Sequence, residues 1–276
     1  MTPESLIARF ASQVRTANWA EPVGALKLGV DLGTANIVLA VVDGTNQPVA
    51  GAWEHSRVVR DGIVVDWAGA VRAVRELKTD LEKRLGTRFC QASVAIPPGI
   101  SPGTIRVFTN VLTAADLETA EVVDEPVAAA RVLGVRDGCV IDIGHGTTGV
   151  SVLRNGQVIT SVDEPTGGHH MTLVLAGALD LPYDEAEQLK QSANHDPAVF
   201  GVIRPTVEKM ATIALQAITG YDPGQIFLVG GASSADQTPA VFAEILGHPV
   251  HRPTEPLFVT PLGIAMTPVP KEASHG

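Results

Sequence analysis

The chain reads as an α/β protein of two similar lobes, each offering a phosphate turn and a carboxylate to one cleft, and two stretches predict that class. The first, residues 140–152, reads V-I-D-I-G-H-G-T-T-G-V-S-V: an apolar strand ending in an acid, a turn of glycines and hydroxyls, then a second strand. Gly144 and Gly146 let the backbone approach a ligand closely, Thr147 and Thr148 with the turn amides offer donors to an anion, and Asp142 can hold a cation. The second stretch, residues 29–43, repeats the pattern as G-V-D-L-G-T-A-N-I-V-L-A-V-V-D. Asp31 matches Asp142 and Gly33 matches Gly144, the later turn being one residue longer. One such stretch is also what an ordinary glycine-containing hairpin looks like, but two in one chain imply an internal duplication. Both return strands run into hairpin dipeptides, Asp43-Gly44 and Asn155-Gly156, with residues 158–162 as the strand after the second.

Composition bounds the function. With 276 residues, 45% hydrophobic and 18% charged, the chain can build two lobes. A net charge of −10 leaves no basic surplus for a nucleic-acid backbone, so nucleic acid is not an expected partner. Cys90 and Cys139 lack paired spacing and read as small core residues in a reducing compartment. No apolar run approaches a membrane span and the start lacks a signal peptide's pattern, so a cytoplasmic location without a membrane partner is expected.

Taken in order, residues 1–25 form an amphipathic helix and linker: Leu6, Ile7, Phe10, Val14 and Ala17 fall at helical spacing, Thr2 or Ser5 can cap, and Asn18, Glu21, Pro22 and Gly24 break the pattern. Such a helix either folds back on its own domain or docks on a partner. The first lobe, residues 26–137, opens with the first hairpin, continues with a strand at 48–53, and has an irregular extended piece at 58–65 broken at Asp61-Gly62. A helix follows in which Ala70, Val71, Val74, Leu77, Leu81 and Leu85 share one face, closed by Gly86. Residues 91–96 are a strand running into Pro97-Pro98-Gly99, residues 107–117 a helix, and residues 121–123 a brief strand. Glu125 stands where strand meets helix, with Pro126 in the first turn and thin alanines after it. It either orients a water and a metal or simply complements the helix dipole. Residues 261–266 are another small-residue helix, able to cross the alanine helix as a hinge between the lobes.

In the second lobe, residues 138–276, Thr166-Gly167-Gly168-His169-His170 precedes an apolar helix and makes a helix-start anion site. The adjacent histidines do not read as a metal site, because sequence neighbours seldom point at one ion. Residues 182–190 and 199–216 are helical, with Glu208 and Lys209 a mid-helix pair that alone reads as surface charge. The strand 225–229 leads into Gly230-Gly231-Ala232-Ser233-Ser234, where a flat ligand ring can lie against backbone.

These residues together resemble the actin-like ATPases, a superfamily that includes DnaK-type chaperones, MreB filaments and sugar kinases. Residues 29–36 look like its first phosphate motif, 124–130 its first connecting helix, 140–150 its second phosphate motif, 228–233 its adenosine motif, and 261–266 its second connector. The closer likeness is to the ethanolamine-utilisation protein EutJ family, carried by V-V-R-D-G-I-V at 58–64, P-P-G at 97–99, T-G-G-H-H at 166–170, E-A-E-Q-L-K at 185–190 and V-T-P-L-G-I-A at 259–265.

The resemblance implies an actin-like ATPase fold of two duplicated ribonuclease H-like lobes with reduced outer subdomains. It implies a chaperone-like accessory protein of a bacterial microcompartment pathway, with a microcompartment enzyme or shell protein as partner and homo-oligomerisation open. ATP or ADP with magnesium would be held by Gly33, Thr34, Ala35 and Asn36 and by Gly144, His145, Gly146, Thr147 and Thr148. Gly167, Gly168, His169, Glu208, Lys209, Gly230, Gly231, Ala232 and Ser233 complete the expected nucleotide contacts. Asp31 and Asp142 would face the metal through water, and Glu125 or Asp142 would place the water for slow hydrolysis of ATP to ADP and phosphate. Where the family's second loop reads Gly-Gly-Gly-Thr, this chain has His145, which either crowds the phosphate or adds a donor. The chain ends soon after the second connector, leaving no expected room for a peptide-binding domain. The competing classes are a filament-forming ATPase, a small-molecule kinase, and a non-hydrolysing nucleotide-dependent scaffold.

Overall fold

Each repeat of the duplicated motif opens a five-stranded sheet in the computed structural model, which describes residues 1–60 and 63–268. The chain forms two units, one of Met1–Leu133 with the residues from Thr260, the other of Gly134–Val259.

The first unit begins with α1 (Pro3–Thr16), capped by the Thr2 hydroxyl accepting from the Ser5 amide at 3.3 Å and ended by Ala17 in the left-handed region at φ 54°. β1 (Lys27–Leu32), β2 (Asn36–Val42) and β3 (Pro48–His55) are an antiparallel meander. Asp43 closes its second turn: one carboxylate oxygen accepts from the Thr45 amide and hydroxyl and the Gln47 amide, the other from the Val23 amide. Burial pushes this carboxyl up, and those hydrogen bonds outweigh it and hold it below the usual range. β4 (Val59–Arg60) pairs with β5 (Ile63–Val64); the expected break at Asp61-Gly62 lies outside the described residues. α2 (Trp67–Leu85) is capped by Asp66 and stopped by Gly86 at φ 62°. β6 (Gln91–Ile96) pairs parallel with β1, and β7 (Glu118–Asp124) parallel with β6, giving the order β3-β2-β1-β6-β7.

Between β6 and β7 lies α3 (Pro102–Ala114), five residues earlier than the apolar pattern suggests. Ser101 caps it, accepting from the Thr104 amide at 3.2 Å, and Pro102 sits in its first turn, start signals that outrank periodicity. α4 (Glu125–Leu133) follows directly on β7. The β2 strand is buried almost throughout because α1 and α2 both pack onto this sheet. Ile7, Phe10 and Val14 of α1 are buried on the unit itself, against β3 and α4, so of the two fates open to this helix the structure shows the folded-back one. A methyl group on Gly51 of β3 would lie 2.6 Å from Phe10 Cε2, so the bare glycine makes the room for that ring.

The second unit repeats the plan. β8 (Gly138–Ile143), β9 (Thr148–Arg154) and β10 (Gln157–Glu164) are the meander, with Asn155 at φ 53° and Gly156 at φ 76° making the turn that the dipeptide predicts. Three helices come next, α5 (Gly168–Leu179), α6 (Tyr183–Ser192) and α7 (Pro197–Ile218). β11 (Gln225–Val229) then runs parallel to β8, α8 (Thr238–Leu246) returns, and β12 (Val250–His251) pairs parallel with β11. The order β10-β9-β8-β11-β12 reproduces that of the first sheet strand for strand.

α9 (Val259–Ala265) carries the chain back into the first unit. There a methyl group on Gly263 would overlap the Ala128 carbonyl of α4, and one on Gly29 would overlap the Ala265 backbone, so α9 is seated between β1 and α4 at backbone contact. The two small-residue helices therefore meet at backbone contact, because Gly263 has no side chain to hold α9 off the Ala128 carbonyl.

Cys139 is buried, and burial pushes its thiol up to about 12, but Cys90 is exposed just before β6 and is not the core residue that its sequence position suggested. No helix among the described residues is long and apolar enough to cross a membrane.

Candidate nucleotide site

In the second unit Asp142 lies one residue before the end of β8 and is 7% exposed. The turn after it is closed by the Gly144 amide donating to the Thr147 carbonyl at 3.0 Å. A second loop clamps that turn from behind. The Gly168 amide donates to the Gly144 carbonyl at 3.0 Å and the His169 amide to the His145 carbonyl at 2.7 Å. A methyl group on Gly167 would lie 2.6 Å from the His145 carbonyl oxygen, so only glycine lets the two loops close. The Gly167 amide itself donates to His170 Nδ1 at 3.3 Å.

The expected helix-start anion site at α5 has its Gly168 and His169 amides engaged within the protein. Those amides meet the carbonyls of the Gly144–Thr147 turn, so Gly167, Gly168 and His169 lie against that turn. Thr148 is fully buried and donates to the Thr166 carbonyl at 2.6 Å, and the Thr147 hydroxyl acts on Asp163 by favouring its charged form. His145 is also committed, its Nε2 lying 3.0 Å from the Tyr183 hydroxyl at the start of α6. What the turn can offer an anion is therefore its backbone.

Two groups at this turn escaped the sequence reading. Asp163 pairs across the sheet with Gly149, as Asp142 does from the other side, so both carboxylates stand on one face with only a glycine between them. Burial first, then the charges of Asp142 and Glu164, push Asp163 up to about 6 against the Thr147 hydroxyl, and its Oδ1 is buried without a hydrogen-bond partner among the described residues. The period-2 alternation of β10 could have flagged it. The other group is Lys190, whose ammonium donates to the Gly168 carbonyl at 2.8 Å, the Thr172 hydroxyl at 2.7 Å and Glu187 at 2.8 Å. Burial pushes Glu187 up, and the Lys190 charge with bonds from Lys190, Thr172 and Gln191 brings it below the usual range.

In the adenosine-motif loop, Gly230 has φ 85° and a methyl group there would overlap the Asp142 carboxylate, so the loop lies directly on the acid. The Ser233 hydroxyl is fully buried and donates to the Gly230 carbonyl at 2.7 Å, which fixes the loop. Ala232 is the near neighbour of Gly168, its Cβ 3.0 Å from where a Gly168 methyl would stand. Glu208 is engaged by Arg204 at 2.7 Å on the solvent side of α7. Lys209 lines an open groove of about 480 Å³ with Glu164, Thr166 and Ile213.

In the first unit Asp31 pairs with Val38 near the end of β1 and is half-buried. A methyl group on Gly33 would lie 2.8 Å from the Asn36 carbonyl oxygen, which is why the turn starts with glycine. Thr34 and Ala35 span the turn, the Ala35 carbonyl accepts from the Ser56 amide at 2.9 Å, and Asn36 Oδ1 is buried with no hydrogen-bond partner among the described residues. Glu125 is half-buried as the first residue of α4, beside Asp124, whose carboxyl burial pushes up. Among the described residues no three His, Cys, Asp or Glu side chains converge on a point that could hold a metal.

Comparison with known proteins supplies a family context. Residues 139–263 match the family model of the cell division protein FtsA, and residues 45–176 that of the MreB/Mbl protein. Ethanolamine utilization protein EutJ of Salmonella typhimurium is 45% identical over 241 residues, 87% of this chain and 85% of that protein. The crystal structure of EutJ from Carboxydothermus hydrogenoformans superposes with a TM-score of 0.90 at 43% identity, over 96% of this chain and 97% of that one. An MreB of Spiroplasma citri bound to AMPPNP superposes with a TM-score of 0.72 at 15% identity, over 88% and 95% of the two chains. The fold is the actin-like ATPase fold, as the sequence motifs implied.

Proposed function

The chain belongs to the EutJ family of ethanolamine-utilisation proteins, and from that premise we propose that it binds ATP or ADP with magnesium and hydrolyses ATP slowly as an accessory of a bacterial microcompartment. The observation that carries the nucleotide reading is the clamped turn of the second unit. Two of its carbonyls are taken up from behind by the α5 amides and its Thr148 hydroxyl by the Thr166 carbonyl, which leaves a preshaped backbone loop beside the Asp142 carboxylate. A rigid loop of this kind binds phosphate without a further ordering cost. The turn Gly33 to Asn36 of the first unit is its duplicate in sequence and is likewise assigned to phosphate.

The residues fit magnesium that arrives with a nucleotide. Asn36 Oδ1 is a buried acceptor with no hydrogen-bond partner among the described residues, a group that can accept from a water of an ion that keeps most of its waters and takes phosphate oxygens. Asp31 and Asp142 are assigned to face it through water. When bound, the ion neutralises charge on the phosphates. The protein's own part is positioning: Glu125 or Asp142 orients the attacking water. Slow turnover fits the state of Lys190, the ammonium beside the phosphate turn, all three of whose protons are already used inside the protein. The proposed partner is a microcompartment enzyme or shell protein, reached by a surface other than the buried face of α1.

Calorimetric titration with ATP and ADP, with magnesium and with EDTA, tests this reading. Magnesium-dependent binding in the wild type, weakened about tenfold or more in Asp31→Ala and in Asp142→Ala, is expected, each variant losing a metal-facing carboxylate. Wild-type protein that takes up no nucleotide, or variants that both keep the wild-type affinity, overturn the assignment. A phosphate-release assay then measures turnover, and ATP-dependent pelleting separates the filament alternative.

A further inference from the structure

His145 stands in the middle of the phosphate turn, where a free imidazole would be the one bulky group, and its place is decided by a residue of another helix. Tyr183, the first residue of α6, sets its hydroxyl 3.0 Å from His145 Nε2 and 2.8 Å from His169 Nδ1. The rings of His145 and His169 have centroids 5.8 Å apart, and those of His169 and Tyr183 5.3 Å apart. The imidazole of His145 thus reaches across the start of α5, its Nδ1 3.5 Å from where a Gly168 methyl would stand. A methyl group at 168 would touch the imidazole at ordinary contact distance and crowd Ala232 Cβ at 3.0 Å.

A phenol hydroxyl has one proton to give and lone pairs to receive. Placed between two imidazole nitrogens, it donates to one and accepts from the other, so the two rings cannot choose their tautomers independently. The same face of α6 carries Glu187 and Lys190, one and two turns on, gripping Thr172 and the Gly168 carbonyl. Tyr183 is therefore not a mobile surface phenol but the end of a row that anchors α6 to the start of α5.

We propose that Tyr183 is a positioning residue of the second phosphate turn, holding the His145 imidazole across α5 in a set tautomer so that the turn presents its backbone to phosphate unobstructed. This rests on the nucleotide reading given above. It accounts for a histidine in a loop that must admit a phosphate, since the ring is drawn towards α6 and does not crowd the glycines. Without the phenol, the imidazole loses the hydrogen bond at Nε2 that draws it towards α6.

The test is a double-mutant cycle on magnesium–ATP affinity with a spectroscopic arm. Tyr183→Phe removes only the hydroxyl and is expected to weaken ATP binding about three- to tenfold, the range of one lost hydrogen bond. In the His145→Gly background the same substitution is expected to have no further effect, because there is no ring left to hold. Ring-nitrogen NMR of the nucleotide-free protein should show one protonated and one bare nitrogen facing the phenol in the wild type, and tautomer averaging at His145 in Tyr183→Phe. His169→Ala, which leaves Tyr183 in place, gives the same averaging at His145 should the Phe variant fold poorly.

Equal weakening in both backgrounds assigns Tyr183 to the fold alone and overturns the proposal, as does unchanged affinity in both or a His145 spectrum that ignores the phenol. Wild-type protein that binds no ATP is the separate result that removes the nucleotide reading itself.

Discussion

Phe10→Ala tests whether α1 is part of the fold or a detachable docking element. Phe10 is fully buried, and its neighbours on the same helix face, Ile7 at 1% and Val14 at 6% exposure, are nearly so. The ring sits over Gly51 of β3, which has no side chain that could move into the vacated volume. The cavity therefore persists, which puts the cost in the range of about 3–5 kcal/mol for a buried phenylalanine truncated to alanine. For a protein of this size that corresponds to a fall in Tm on the order of 10 °C. Thermal unfolding followed by circular dichroism reads it directly, and deletion of residues 1–20 should cost more, since Ile7, Ala11 and Val14 are lost as well and the Ala20 amide no longer donates to the Val49 carbonyl. A Phe10→Ala protein melting within about 1 °C of the wild type would refute the packing account and return α1 to the docking alternative.

The remaining predictions address the crossing, the buried pair and the raised carboxyl. Gly263→Ala should destabilise by about 1–3 kcal/mol or more, since the added methyl meets the Ala128 backbone, which cannot rotate away as a side chain would; an unchanged Tm would show that α9 does not pack there at backbone contact. Lys190→Met leaves the Glu187 carboxylate buried without its cation and should cost about 3–5 kcal/mol at pH 7, whereas Lys190→Met combined with Glu187→Leu should recover much of it. Glu187 lies below its ordinary value when folded, so its contribution is full above that value near 4.5 and is lost as pH falls through the depressed one; the wild type and Lys190→Met should converge in Tm on acidification. Asp163 has the opposite sign. Its folded value is raised to about 6, so the folded state binds the extra proton and the group adds stability as pH falls from 7 towards 5. In EDTA, Asp163→Asn should melt higher than the wild type at pH 7 and lose that lead by pH 5, and a pH-independent difference would remove the assignment.

Much of the fold was legible in the sequence because its signals are local. The duplicated strand-acid-turn-strand pattern, the Asn155-Gly156 turn, the Gly86 cap and the period of α2 each act over a few residues, and each stands where the pattern put it. So was the likeness to the actin-like ATPases and to the EutJ family, since glycines packed against backbone, such as Gly33 and Gly263, cannot be exchanged for larger residues without a clash. The start of α3 was misplaced because an apolar period is blind to a Ser101-Pro102 cap, and α8 with β12 passed unread in a short, weakly patterned stretch.

The candidate site was legible in its residue types but not in its hydrogen bonds. Nothing in the order of residues says that Thr148 gives its proton to Thr166, that Gly168 and His169 spend their amides on the turn, or that His145 finds Tyr183 38 positions later. A hydrogen bond is decided by which partner lies within about 3 Å once the chain has folded, and loops distant in sequence meet only then. The sequence by itself therefore determined the duplicated sheets, their turns and the family. Only the tertiary structure decided which donors remain for a ligand, that Asp163 joins Asp142 across Gly149, and that the amphipathic α1 covers β3, because each depends on surfaces that exist only after the sheets have formed.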